Sequence, residues 1–463
     1  MLSGDPGGSA ASLDHKSLAH RICARIWFTA GAVALVCLFS VHQAGAAQQK
    51  WVASWAAAAQ GCYPLGAQPL QPDLGDVFEY WGSTDQTFRL IIRPDLWGRT
   101  IRLRFSNAFG DRAVTLDNVF VGLKADGGNL VAHTNRAVAF HSGQESLTLA
   151  AGETAYSDAV ELPYIDDPLD PELGGRKLAI SFHVAGFTGP MTWHAEALTT
   201  SYLTASGAGI HSRDENDSAF RFTTTSWYFL DRVDVMADDD VVVIAALGDS
   251  ITDGEASTLN GDDRWTDVLS RRLHAAYGAH VSIVNEAIAG NMILGPPRSA
   301  RAERCKQYGP SALDRLDRDV LSLSGLSAVV WLEGINDLGA GGHSAEQVIA
   351  GLEEGVRRIR AAGPFKVIGA TLTPTLNSPI ATYGSAEMDQ RRQSVNRFIL
   401  TTKIFDGVAD FDAATRDPKT GALYRDFQPS SYNNSPGDLV HPNRAGFQAM
   451  GAAVDIGSFA PSR

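Results

Sequence analysis

Apolar and polar positions keep two different rhythms along this chain, and the rhythm changes near Met236-Ala237-Asp238-Asp239-Asp240. Before that acidic stretch the period is two. Thr100 to Ser106 alternates cleanly, with Ile101, Leu103 and Phe105 on one face, and Thr87 to Arg93 alternates in part. The same pattern predicts strands over Val114–Val121, Arg136–Phe140, Tyr156–Leu162, Lys177–Val184 and Phe220–Val235, separated by Gly and Asp turn clusters. No long helical period intervenes, so this half reads as an all-β sandwich or jelly roll. After the acidic stretch, short apolar runs alternate with amphipathic helical patterns. Strands are predicted over Val241–Leu247, Val281–Asn285, Ala328–Leu332, Lys366–Leu372 and Val408–Phe411. Helices are predicted over Trp265–Tyr277, Ala312–Leu321, Ala345–Ala362, Met388–Lys403 and Arg444–Val454. Runs apolar on both faces belong in a parallel sheet covered on both sides by helices.

Length agrees with this division, since 463 residues exceed one ordinary domain. The expected organisation is a signal peptide over 1–46, a β-sandwich domain over 47–236 and an α/β domain over 237–463. Lys16, Arg21 and Arg25 precede the apolar stretch Ile26 to Phe39, and Ala44-Gly45-Ala46 offers a small-x-small cleavage site. The apolar stretch is shorter than the roughly 20 residues of a membrane span. The expectation is therefore a secreted or periplasmic protein with no stable membrane insertion once the signal is removed. Cys23 and Cys37 fall in the removable part. Cys62 and Cys305 remain as a candidate disulfide, with two buried thiols as the alternative. A net charge of −13 supplies no basic patch and argues against a nucleic-acid partner.

Polar residues collect at four predicted strand ends or turns of the α/β half. Gly248-Asp249-Ser250 ends its first strand, and Gly290-Asn291 follows the second. Gly334-Ile335-Asn336-Asp337 follows the third, and Asp438-Leu439-Val440-His441 precedes the last helix. Loops after parallel strands share one sheet edge, which gathers the first three. Together they hold the parts of acyl transfer. A serine hydroxyl needs a base within hydrogen-bond reach, and His441 can be one. Asp438, three residues earlier, can fold back to hold the imidazole Nδ1–H. The oxyanion needs preorganised donors, for which the Ser250 N–H, the Gly290 N–H and the Asn336 amide are candidates. Taken singly, each has a plainer explanation: a helix cap for Ser250, a turn for Gly290 and Asn336, a surface histidine for His441. Asp253 reads as a turn carboxylate, and Glu333 as an acceptor behind the site.

The four blocks resemble those of the SGNH, or GDSL, hydrolases. That resemblance implies a flavodoxin-like three-layer α/β/α domain from about Val241 onward. It also implies nucleophile Ser250, base His441, orienting Asp438, and oxyanion donors Ser250, Gly290 and Asn336. Glu286-Ala287 departs from the Ala-Gly of many relatives. No Gly-x-Ser-x-Gly elbow occurs in the chain, which argues against an ordinary α/β-hydrolase. Trp51 to Trp55, Leu103 to Gly110, Thr192-Trp193-His194 and Gly309 to Leu313 resemble exported bacterial members that carry an N-terminal β-domain. That branch is lysophospholipase-like or acetylxylan-esterase-like.

The expected function is a secreted serine ester hydrolase that removes acetyl or other short acyl groups from carbohydrate esters. The alternatives are a lipase or lysophospholipase acting on lipids, an enzyme of glycosidic bonds, and a non-catalytic carbohydrate-binding protein. Glycosidic chemistry would need two carboxylates flanking the bond, drawn from Asp253, Glu333, Asp337 and Asp438. Trp51, Trp55, Trp193 and Trp227 can stack on sugars or pack in the core. No metal constellation and no cofactor are expected, and oligomeric state is open.

Overall fold

The computed structural model describes residues 48–65, 74–75, 77–295, 307–429 and 437–461. The predicted signal segment and Cys305 lie outside these residues. The proposed bridge to Cys62 therefore lies outside them too, although Gln60 Nε2 donates to Gln307 O at 3.0 Å, close to both cysteines in sequence. From Ala47 onward the chain forms one compact unit. Among the described residues no helix is long and apolar enough to cross a membrane.

The first half is antiparallel. One sheet pairs Gln49–Ala56, Leu230–Asp238, Thr100–Ser106 and Thr154–Tyr156 in that order. A second runs through Phe222–Thr224, Ser201–Leu203, Gln86–Ile92, Leu178–Val184 and Val114–Leu123. Gln86–Ile92 and Leu178–Val184 are buried along their whole length, and apolar side chains of the two sheets meet. The Phe105 ring of the first sheet lies 5.5 Å, edge on, from Phe182 of the second, which stacks on Phe88 at 5.2 Å. Trp55, Trp193 and Trp227 are buried in this core. Of the four tryptophans considered for sugar stacking, these three pack inside instead.

A three-stranded sheet of Gly61–Cys62, Thr192–His194 and Trp227–Tyr228 completes this half. Strands of two or three residues carry no readable alternation, which is why Thr192–His194 and Ser201–Leu203 escape the pattern. The predicted Phe220–Val235 strand is three pieces, broken at Thr225–Ser226 and at Phe229, which has φ of 60°.

The second half is a parallel sheet in the order Val281–Ala287, Val242–Gly248, Leu326–Leu332, Lys366–Ala370, Gly407–Ala409. Counted along the chain that order is 2-1-3-4-5, the flavodoxin-like arrangement. The switch point falls beside Val242–Gly248, so its carboxyl end opens into the crevice between neighbouring loops. Helices Trp265–Tyr277, Ala345–Ala362, Ala386–Thr401 and Arg444–Ala453 flank it. The predicted Ala312–Leu321 helix widens after one turn to π geometry over Leu316–Leu321. Edge contacts tie the halves together. Ala53 N–H donates to Ser324 O at 2.9 Å, and Ser282 Oγ donates to Ala53 O at 2.7 Å.

Candidate active site

Val242–Gly248 drives straight into a helical turn, Ser250–Asp253. Glycine is required at 248, because a Cβ there would lie 2.4 Å from Thr252 Oγ1 and 2.6 Å from Leu332 O. Asp249 caps the turn by accepting from Ile251 N–H at 3.1 Å. Burial pushes its carboxyl up to about 7. Ser250 is thereby the first residue of a helix, where backbone N–H groups have no partner within the helix.

The Ser250 hydroxyl meets His441. Oγ lies 2.7 Å from His441 Nε2 although 191 residues separate them. The other imidazole nitrogen, Nδ1, lies 2.5 Å from Asp438 Oδ2. The second Asp438 oxygen accepts from the backbone N–H of Val440 at 2.8 Å and of His441 at 3.0 Å. The turn thus folds its own carboxylate back onto its own histidine. Leu439 sits at φ of 58° to allow this, and Ser378 Oγ ties the turn down through Asp438 O at 2.6 Å. Burial pushes the Asp438 carboxyl up, but its bonds from His441 outweigh that and hold it near about 2. Burial pulls the His441 imidazole down, whereas Glu255 and Asp438 lift it, to about 9.

The second and third blocks are pinned to each other. Gly290 adopts φ of 76°, and the Tyr308 ring packs where a Cβ would be, 2.2 Å from that point. Asn336 lies in the turn Ile335–Leu338. Its Oδ1 accepts from Tyr383 Oη at 2.7 Å and its Nδ2 donates to Asn291 O at 2.9 Å, so the amide orientation is fixed at both ends. The amide keeps a second N–H for an incoming oxygen. Asp337 accepts from Ile293 and Leu294 N–H at 2.8 and 2.9 Å, joining the third block to the second.

Three groups behind the site were not legible as such. Arg315, fully buried, donates to Asn291 Oδ1 at 2.8 Å, Glu286 O at 2.6 Å and Gly248 O at 3.1 Å. It pins the ends of two parallel strands to the second block. The available signal was a charged pair, Arg315 and Asp319, on the same helix face as Ala312, Leu316 and Val320. Asp253 is more than a turn carboxylate. One oxygen accepts from Ala289 N–H at 3.0 Å, beside Gly290, and the other lies 3.1 Å from His194 Nε2. His194 Nδ1 faces Ala58 O at 3.0 Å. Two acceptors favour the doubly protonated imidazole; burial opposes that charge, and Asp253 outweighs it, so the imidazole is held above its ordinary value. The antiparallel half therefore grips the loop that carries Gly290. Glu255, the third, places Oε2 3.2 Å from His441 Nε2.

Glu333 accepts from Trp331 Nε1 at 2.9 Å, and burial raises its carboxyl to about 8. Glu286, where many relatives carry Ala, is buried with Oε1 3.8 Å from Arg232, and burial and Asp319 push its carboxyl well up against the pull of Arg232 and Arg104.

Among solved structures, the chain is similar to the native aryl esterase of M. smegmatis (17% identity, 46% of this chain and 96% of that one, TM-score 0.36). It is likewise similar to a carbohydrate acetylesterase family member from Sinorhizobium meliloti (18% identity, 46% and 95%, TM-score 0.35). A GDSL-like lipase from Bacteroides thetaiotaomicron is a third (18% identity, 46% and 84%, TM-score 0.33). A comparison with curated proteins returns no match. Residues 246–449 match the GDSL-like lipase/acylhydrolase family model. Over those residues the chain is similar to the GDSL-like lipases and acylhydrolases, a match that supports a carboxylic ester hydrolase.

Proposed function

We propose that the protein acts outside the cytoplasm and removes acetyl or similarly short acyl groups from carbohydrate esters, with Ser250, His441 and Asp438 as its triad. The observation that carries the mechanism is the unbroken chain of contacts, 2.7 Å from Ser250 Oγ to His441 Nε2 and 2.5 Å from Nδ1 to Asp438. Ser250 Oγ attacks the ester carbonyl carbon as its proton passes to Nε2. The carbonyl π pair becomes an oxyanion facing the Ser250 and Gly290 N–H groups and the Asn336 amide. Collapse expels the alcohol oxygen, which takes the proton from Nε2. Water then repeats the sequence on the acyl-serine, releasing the acid and restoring the hydroxyl.

Support for a short acyl group comes from Tyr308 and Tyr383, whose side chains stand against Gly290 and Asn336. The aryl and carbohydrate esters named for the similar structures agree with this reading. A glycosidic reaction finds little support, because Asp253, Glu333 and Asp337 are buried and bonded to neighbouring N–H groups.

The test is turnover by purified mature protein of p-nitrophenyl acetate, a long-chain p-nitrophenyl ester and acetylated xylan. Acetate release from the first and third is expected; turnover of the long-chain ester alone overturns the carbohydrate assignment. In the same assay Asn336→Ala is expected to lower kcat about 10²- to 10³-fold, as loss of one oxyanion donor does elsewhere. An unchanged kcat removes Asn336 from the oxyanion site.

A further inference from the structure

His441 Nε2 has two claimants. Ser250 Oγ lies 2.7 Å away and Glu255 Oε2 lies 3.2 Å away. The main chain fixes this rivalry, because Glu255 N–H donates to Ser250 O at 2.9 Å, just after Gly254 turns at φ of 106°. The carboxylate cannot drift far from the serine it competes with. A neutral imidazole with its proton on Nδ1 accepts from Ser250. A doubly protonated one offers an Nε2–H instead, and a carboxylate is a far better acceptor for it than a hydroxyl.

We propose that Glu255 is a positioning residue for His441, which captures the imidazole's Nε2–H and so withholds the base from Ser250 until that proton is shed. The inference rests on the Ser250–His441 reading above. Its setting is charged from several elements. Asp438 faces His441 from its own turn, and Asp249 from the strand end. Glu196 approaches Glu255 from the loop after Thr192–His194, with Asp253 and Arg264 also beside Glu196, and Tyr383 lies within electrostatic reach of Glu255. Glu196 is 1% exposed, and among the described residues neither of its carboxyl oxygens has a hydrogen-bond partner. Burial, then the neighbouring Glu255 and Asp253, pushes the Glu196 carboxyl well up.

The sign follows directly. An adjacent anion raises an imidazole's affinity for its second proton, so activity that needs the free base rises only at higher pH. Glu255→Gln removes the charge while keeping the shape, and the side chain is 28% exposed, so folding is not at stake. The experiment is kcat/KM on p-nitrophenyl acetate against pH for wild type, Glu255→Gln and Ser250→Ala. The midpoint of the rising acid limb is expected about one pH unit or more lower in Glu255→Gln. With Ser250→Ala inactive, an unmoved or raised midpoint overturns this inference alone. Ser250→Ala as active as wild type overturns the reading beneath it.

Discussion

Ser250→Ala is expected to lower kcat/KM on p-nitrophenyl acetate by at least about 10³-fold. The reason is that among the described residues no other hydroxyl is so placed: Oγ is held at 2.7 Å from an imidazole that is itself anchored at its far side by Asp438. Residual activity, from the oxyanion donors acting on water, is the floor. The fold is expected to survive. The substitution removes one hydroxyl from a side chain of a residue only 5% exposed, and His441 keeps its bond to Asp438. Thermal unfolding measured beside the kinetics separates the two effects. Wild-type turnover by a folded Ser250→Ala protein would eliminate the serine as nucleophile.

Arg315→Leu is expected to lower the unfolding free energy by about 3–5 kcal/mol, the scale for removing one partner of a buried charged network. The guanidinium is wholly buried, and its fork serves Asn291 Oδ1, Glu286 O and Gly248 O at once. Leucine fills part of the volume and takes the guanidinium away from all three acceptors, of which Gly248 O still accepts from Ile288 N–H at 3.1 Å. Asp319 also loses one of its cationic neighbours, although Arg318 still reaches it at 2.6 Å. Denaturant unfolding of wild type and variant gives the difference. A loss under about 1 kcal/mol would mean that water or Arg318 takes over the fork, and that the strand ends do not depend on Arg315.

Much of this was readable because the two halves obey different periods. The parallel strands are apolar on both faces, so Val242–Gly248 and Leu326–Leu332 stand out whatever surrounds them. Helices Trp265–Tyr277 and Ala345–Ala362 begin and end where their amphipathic pattern does. Gln49–Ala56 was not readable as a strand, since its burial comes from the Leu230–Asp238 strand nearly 200 positions away. The site divides the same way. Ser250 and His441 announce themselves through local motifs, and the turn Asp438–His441 is a self-contained device. Asp253, Glu255 and Arg315 do not, because their meaning depends on partners that are distant in sequence: His194, His441 and Gly248. A carboxylate in a turn looks solvated until the fold supplies what lies against it.

The contact of His194 with Asp253 bears on how such a chain can evolve. A histidine contributed by the antiparallel half holds, through one carboxylate, the backbone just ahead of Gly290. The front half is therefore not an interchangeable attachment that recombination could swap for any other β-module. Its replacement must bring an imidazole to the same spot, or the catalytic half must change Asp253 in step. Lineages of this architecture should inherit the two residues together or lose them together, and a sequence comparison across relatives can read that history directly.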